Sequence, residues 1–117
     1  MATEEELQAS LEAFCQSCNE NERLKVMNQG WNRNINIQAT DTDAKFSIIY
    51  QDGIANFKPG LAEGADLTVQ SDSETLADIF YGDITPTEPY NNGTLKVLGS
   101  EEDVMRLDFI SLMIWGE

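Results

Sequence analysis

The stretch ADLTVQSDSETLADIFYGDITPTEPYNNGTLKVLG, residues 65–99, has the pattern that decides the fold. Its residues 66–70 alternate apolar and polar side chains, which predicts a short strand. Ser71 and Glu74 are spaced as a capping box, and the apolar residues that follow recur at helical intervals until Gly82, a typical helix terminator. The stretch therefore predicts a strand followed by a short helix.

The rest of the stretch returns to the sheet and leads into a longer helix. Residues 94–98 predict a second strand, and a helix starts near Ser100 or Glu101 with acidic residues on its first turn. One core face cannot contact all the apolar residues of this helix, so a cavity with a ligand, a partner subunit or another helix must cover a second side. On a helical wheel these residues cover nearly the whole circumference of the helix. They are Val104, Met105, Leu107, Phe109, Ile110, Leu112, Met113, Ile114 and Trp115.

The N-terminal residues predict a further helix that packs on the rest of the domain. Thr3 and Glu6 form a capping box, and residues 19–21 interrupt the helix before one more turn that ends ahead of Gly30. The apolar stripe of this helix consists of Leu7, Leu11, Phe14, Cys15 and Cys18.

The segment between this helix and the deciding stretch changes to a period of two. Residues 31–40, 45–50 and 54–58 each alternate in polarity, which predicts three strands. Asp52-Gly53 is a strong signal for a tight hairpin between the second and the third. The sequence therefore predicts an antiparallel meander.

Composition limits the function. The 117 residues fit a single domain, 1–117, with 41% hydrophobic residues for its core. The formal net charge of −14 argues against a nucleic-acid partner, which requires a basic surface. The N-terminal segment lacks both a basic region and an apolar run, so we expect neither a signal peptide nor a membrane span, and we expect a cytoplasmic protein.

Few side chains suit catalysis or metal binding. The absence of histidine excludes Ser-His-Asp and Cys-His catalysis and histidine metal sites. Cys15 and Cys18 lie late in a helix on its apolar stripe, so buried structural thiols are favoured over a redox or metal pair. The acidic clusters lie at turns and helix starts, where capping explains them. We therefore expect a protein that is not an enzyme and binds no metal or cofactor.

The order and spacing of several residues resemble the sterol carrier protein family, that is, the SCP2-like sterol-binding or non-specific lipid-transfer domains. The resemblance covers about residues 31–115 and rests on Phe57-x-x-Gly60, Ala65-Asp66, Gly82, Pro86, Gly93-x-Leu95-Lys96 and Gly99. It implies an α+β fold in which helices cover one face of a five-stranded sheet. It also implies an apolar tunnel between sheet and helices that holds sterols, fatty acids or acyl-CoA without chemistry. Pro89 stands where the family usually has a small residue in a short helical segment, so the tunnel mouth is expected to have a different shape.

Two functional hypotheses follow. The first is non-catalytic binding or transfer of an apolar lipid, above all a fatty acid or other acyl lipid but also a sterol-like molecule. Its expected ligand contacts are Leu76, Ile79, Phe80, Tyr90, Phe109, Ile110, Met113 and Ile114. Within the last helix, Val104 and Leu107 are expected on the packing side and Phe109, Ile110 and Met113 nearer the ligand. The alternative is a homodimeric or partner-binding interaction module with no small ligand.

Overall fold

A computed structural model describes residues 2–115, in which two helices precede four strands, and two further helices, a fifth strand and a last helix follow. The elements are α1 (Glu4–Glu20), α2 (Glu22–Met27), β1 (Arg33–Ala39), β2 (Lys45–Gln51), β3 (Ile54–Pro59), β4 (Leu67–Ser71), α3 (Ser73–Tyr81), α4 (Thr87–Asn91), β5 (Lys96–Gly99) and α5 (Glu101–Trp115). The strands form one five-stranded sheet in the order β3-β2-β1-β4-β5. The predicted α+β class is confirmed.

The predicted antiparallel meander is confirmed. β1 pairs with β2, with Arg33 opposite Tyr50, and β2 pairs with β3 across the Asp52-Gly53 turn. Both turn residues have positive φ, 50° and 83°, as the favoured two-residue hairpin turn requires. Gly53 also lies against α2, because a Cβ atom there would come within 2.5 Å of the Lys25 carbonyl oxygen. A larger residue would therefore push the hairpin away from α2.

β4 lies on the other side of β1 and runs parallel to it, which the alternation of side chains alone does not predict. Ile35 is opposite Leu67 in this pair. Asp66 fixes the register, since its N–H donates to the Asn34 carbonyl oxygen at 2.8 Å and its carboxylate accepts from the Asn34 N–H at 2.9 Å. β5 pairs antiparallel with β4, so the sheet is mixed.

One face of the sheet forms the core with the helices. Its apolar β1 and β2 side chains are at most 2% exposed: Ile35, Ile37, Ala39, Phe46, Ile48 and Tyr50. The predicted stripe of α1 is buried against this face. Phe14 of α1 meets Phe80 of α3 edge to face, with ring centroids 5.1 Å apart, so the two helices share the core.

The opposite face of the sheet is mainly polar. Gln70 donates an amide hydrogen bond to Gln38 on the neighbouring strand at 2.8 Å. The Asn36 side chain donates to the Ala62 carbonyl at 3.1 Å and accepts from its N–H at 2.8 Å. These two bonds hold the loop between β3 and β4 against the polar face.

Asn19 makes a similar pair of bonds to β3. Its amide nitrogen donates to the Ala55 carbonyl oxygen at 2.9 Å, and its amide oxygen accepts from the Ala55 N–H at 2.8 Å. β3 is the outer strand of the sheet on this side. α1 therefore bonds to the backbone of the outer strand through one side chain.

The helix starts confirm one predicted cap and correct another. Thr3 and Glu6 form the predicted capping box of α1. At α3 the predicted box of Ser71 and Glu74 is wrong, because Asp72 is the cap and accepts from the Thr75 N–H at 3.0 Å. Ser71 still belongs to β4, and its hydroxyl donates to the Thr94 carbonyl oxygen at 3.0 Å.

The segment after Gly82 is more ordered than a loop. Gly82 ends α3 in the left-handed conformation, as predicted. Pro89 is the third residue of the short helix α4, where a missing N–H costs no intrahelical hydrogen bond. The Leu95 N–H then donates to the Pro89 carbonyl oxygen at 3.0 Å, which joins α4 to the start of β5.

Candidate functional site

Three helices and one end of the sheet surround a partly open cavity of about 590 Å³. This volume lies within the range of small-molecule binding sites. The walls come from α3, α4 and α5, and the floor comes from β4 and β5.

The floor of the cavity is apolar. Val69 of β4 and Val97 of β5 are directly opposite in the antiparallel register, so both side chains point to the same face of the sheet. Leu76 lies one helical turn before Ile79 and Phe80 on α3, and all three line the same cavity. The inward-facing residues of the two strands and the apolar stripe of α3 thus form one continuous apolar surface.

α4 forms a second wall. Pro86 and Tyr90, and likewise Thr87 and Asn91, are four residues apart, and all of them line the cavity. Tyr90 is half exposed, so its ring lies at the opening. On its other side α4 borders a smaller hollow of about 370 Å³ with several polar residues around it, including Thr75 and Glu88.

α5 forms the third wall with Val104, Met105, Leu107 and Ser111, which recur at helical spacing. The remaining α5 residues at the cavity are acidic, Glu101 and Asp108. Gly99 lies just before the helix, where a Cβ atom would come within 2.7 Å of the Asp66 carbonyl oxygen. The close approach of β5 to β4 at the cavity floor therefore requires glycine.

The structure brings together only part of the predicted site. Leu76, Ile79, Phe80 and Tyr90 all line the cavity. The other predicted residues do not: Phe109 is exposed, Ile110 is fully buried, and Met113 and Ile114 pack partly buried against the core.

The structure agrees with the predicted sides of α5 only in part. Val104 and Leu107 pack against the core, as expected, but they also line the cavity, whereas Ile110, expected near the ligand, is fully buried in the core. Because α5 is apolar nearly all round, its apolar periodicity does not predict which side of the helix faces the core. The polar residues Asp103 and Arg106 determine this side, because both side chains face the protein.

These two residues anchor α5 around Trp31. The Asp103 carboxylate accepts from Trp31 Nε1 at 3.2 Å and from Arg33 Nε at 3.1 Å. Arg106 donates to the Asn28 amide oxygen at 2.8 Å and to the Met27 carbonyl oxygen at 3.2 Å. Both guanidinium groups lie over the Trp31 ring, at 5.6 and 5.5 Å from its centroid. We call Trp31, Arg33, Asp103 and Arg106 the α5 anchor.

The cysteines lie away from the cavity. Cys15 and Cys18 are buried in α1 with free thiols. Burial raises the pKa of both thiols to about 12, so almost no thiolate forms at neutral pH. Within residues 2–115, no three acidic, cysteine or histidine side chains group together as a metal site would require.

The charged side chains of the cavity lining have one sign. None of the seven Lys and Arg residues, all of which lie within residues 2–115, lines the cavity, and its two charged side chains are both carboxylates.

Among the helices of the described part of the chain, none has the length and apolar character needed to span a membrane.

Solved structures with the same fold include two that match most of this chain. A UbiJ-SCP2 ubiquinone synthesis protein is 14% identical, with a TM-score of 0.69 over 90% of this chain and 91% of that chain. The sterol carrier protein domain 2 of Helicoverpa armigera is 14% identical, with a TM-score of 0.68 over 92% of this chain and 86% of that chain. At this identity the similarity shows the fold alone.

A third similar structure is much longer. The sec-alkylsulfatase Pisa1 from Pseudomonas sp. is 20% identical, with a TM-score of 0.61 over 74% of this chain. This chain spans only 14% of the sulfatase, so its match is to one part of that enzyme.

The sequence itself identifies the family. No curated protein sequence matches this chain. The model of the SCP-2 sterol transfer family, however, matches residues 11–110. Because this match covers most of the 117 residues and agrees with the fold, the chain belongs to the SCP-2 sterol transfer family.

Proposed function

We propose that this protein binds an elongated apolar lipid in the cavity between α3, α4, α5 and the sheet, without covalent chemistry, and holds or transfers it. The observation on which the proposal rests is the apolar cavity of about 590 Å³ with Tyr90 at its opening. Membership of the SCP-2 family supports lipid binding or transfer in general.

The energetics of such a site favour a long chain. Burying about ten methylene groups contributes roughly 8 kcal/mol before the costs of association. The proposed contacts are Leu76, Ile79, Phe80 and Tyr90, together with Val104 and Leu107 of α5, which replace the α5 residues expected from the sequence. Most of these side chains offer only apolar contact, which supports binding rather than catalysis.

The two free thiols support a cytoplasmic location for this function. Disulfides persist in oxidising compartments, whereas Cys15 and Cys18 are unpaired in the fold. We propose that the protein acts in the cytoplasm.

A second candidate function is self-association through the outer side of α5. Phe109 and Leu112 lie one helical turn apart and are 48% and 58% exposed, and Met105, one turn before Phe109, lines the cavity but is also 67% exposed. An exposed apolar stripe of this kind is typical of an interface. This candidate requires no lipid.

A matched pair of leucine variants on α5 separates the two candidates. Leu107 lines the cavity and Leu112 is exposed on the outer side, so Leu107→Gln and Leu112→Gln make the same chemical change in two places. The experiment titrates a long-chain alcohol with a terminal fluorophore into each protein and records native mass spectra in parallel. Thermal unfolding confirms that each variant is folded.

Lipid binding predicts that only Leu107→Gln weakens the probe, by about tenfold, because an amide without a partner in an apolar cavity costs about 1 to 3 kcal/mol. Self-association predicts a dimer in the native spectrum that Leu112→Gln dissociates. If the parent protein does not bind the probe and native spectra show only a dimer without lipid adducts, the lipid proposal is wrong.

A further inference from the structure

The charges at the cavity have one sign. Glu101 and Asp108, seven residues apart on α5, both line it, and both side chains are exposed. Two turns of helix separate these residues, so both carboxylates lie on the same side of α5. A ligand in the cavity therefore lies beside negative charge.

Within residues 2–115, no cation lines the cavity beside these carboxylates. Arg33 and Arg106 both face Trp31 within the α5 anchor, where Asp103 and Asn28 accept their hydrogen bonds. The other basic residues lie on α2 or on the strands of the polar face of the sheet, and are Arg23, Lys25, Lys45, Lys58 and Lys96. A carboxylate or phosphate head group would find no ion-pair partner in the cavity lining.

Uncharged polar groups are present instead. Thr87 and Asn91 of α4 and Ser111 of α5 line the same cavity. The Ser111 hydroxyl donates to the Leu107 carbonyl oxygen at 3.2 Å, which leaves its oxygen lone pairs able to accept from a ligand. The Asn91 amide offers both a donor and an acceptor. These groups suit a hydroxyl or carbonyl head group.

We infer that the cavity selects a lipid whose head group has no negative charge, such as a long-chain alcohol or ketone, over a carboxylate or a phosphate ester. This inference rests on the proposed function and deepens it, since the same cavity binds the apolar part of the ligand. It argues against the fatty acid and the acyl-CoA that the family resemblance allowed. The net charge of −14 acts in the same direction over a longer distance.

The test compares head groups on one tail. Dodecanoate, dodecan-1-ol and dodecyltrimethylammonium compete for the fluorescent alcohol at pH 8 and low ionic strength, the two ionic compounds below their critical micelle concentrations and the alcohol below its solubility limit. We expect dodecanol to compete about tenfold better than dodecanoate, because the carboxylate of dodecanoate is repelled by the like charges of Glu101 and Asp108. The ammonium compound should compete at least as well as the alcohol, and added salt should narrow the gap.

Variants assign the effect to the two carboxylates. The double variant Glu101→Gln, Asp108→Asn should bring dodecanoate close to dodecanol. The control Glu102→Gln removes the same charge from an exposed residue of α5 outside the cavity and should leave most of the gap. Unfolding curves for all three proteins check that the fold is retained.

The outcomes distinguish the selectivity for the head group from the existence of the lipid site. Equal competition by dodecanoate and dodecanol in the parent protein overturns the inference while leaving the lipid site in place. A gap that survives the double variant overturns the assignment to Glu101 and Asp108. Failure of every compound, including the probe itself, overturns the proposed function.

Discussion

The two halves of the sheet use their apolar side chains differently. In the meander half, β1–β3 with α1 and α2, inward side chains such as Ile37 and Ile48 are at most 1% exposed. In the cavity half, β4 and β5 with α3–α5, part of the apolar residues line an open space or face solvent, as Val97 and Leu112 do. Because the meander half supplies a closely packed core, the other half can contain a cavity.

The connections explain the difference. The meander strands are joined by short turns, and the Asp52-Gly53 hairpin is pressed against α2. The strands β4 and β5 are joined by residues 72–95, which contain two helices, and β5 itself has four residues. A short outer strand offers little surface for α4 and α5 to pack on, so these helices stand apart from the sheet around the cavity.

The largest expected effect is the loss of a packed side chain from the meander half. Ile48→Ala should lower the free energy of unfolding by about 2 to 5 kcal/mol, because it leaves a void among close-packed neighbours. Leu107→Ala in the cavity wall should cost about 1 to 2 kcal/mol, since part of its surface already faces empty space. Urea unfolding at equilibrium measures both.

The two variants should also differ in function. Ile48→Ala is expected to bind the fluorescent alcohol like the parent protein at temperatures where it is folded, whereas Leu107→Ala should change the affinity. If both variants lose the same stability, the contrast in packing between the halves is wrong.

A smaller effect is expected when α5 is released from its anchor. Asp103→Asn replaces the carboxylate that accepts from both Trp31 and Arg33 and should cost about 1 to 3 kcal/mol of stability. Glu102→Gln, an exposed neutral replacement one residue away, is the matched control and should change stability little. Urea unfolding of both variants at neutral pH makes the comparison.

The anchor also predicts a pH dependence. Burial by itself would raise the pKa of Asp103, but hydrogen bonds from Arg33 and Trp31 outweigh it and hold the pKa below the usual value of 3.8. A carboxyl group of this kind stabilises the fold fully above its unfolded-state pKa and loses that contribution as the pH falls through the folded-state pKa. The stability gap between the parent protein and Asp103→Asn should therefore be constant near neutrality and shrink below about pH 4. A gap that grows on acidification would contradict this role.

The smallest expected effect concerns the start of α3, one wall of the cavity. Asp72→Ala removes the cap that accepts from the Thr75 N–H and should cost about 1 kcal/mol, whereas Asp72→Asn keeps a good capping residue and should cost much less. Thermal unfolding of the two variants measures the difference. Equal losses would show that the negative charge of Asp72, rather than its capping bond, stabilises α3.

The sequence predicted the meander half well because its signals are local. Asp52-Gly53 and the alternation on either side determine a hairpin within a few residues, and Thr3 with Glu6 begins α1 in the same way. The family resemblance predicted the five-stranded sheet, and the match to residues 11–110 confirms the family.

The side of α5 that faces the cavity could not be predicted from local sequence signals. Asp103 and Arg106 interrupt its apolar surface and resemble solvent-facing residues, yet their partners Arg33 and Asn28 lie 70 and 78 residues earlier in the chain. Arg33, two residues after Trp31, is a weak sequence signal for such an anchor. Only the tertiary arrangement shows which polar residues of a helix are buried by their partners.

The Asn19 side chain has a consequence for behaviour at high concentration. An outer strand with free N–H and C=O groups is a template on which a strand of another molecule can add, and this is a common route to aggregation. At Ala55 both groups are already bonded to the Asn19 amide within the same chain. The protein thus blocks intermolecular strand addition at this point of its outer strand with one uncharged side chain.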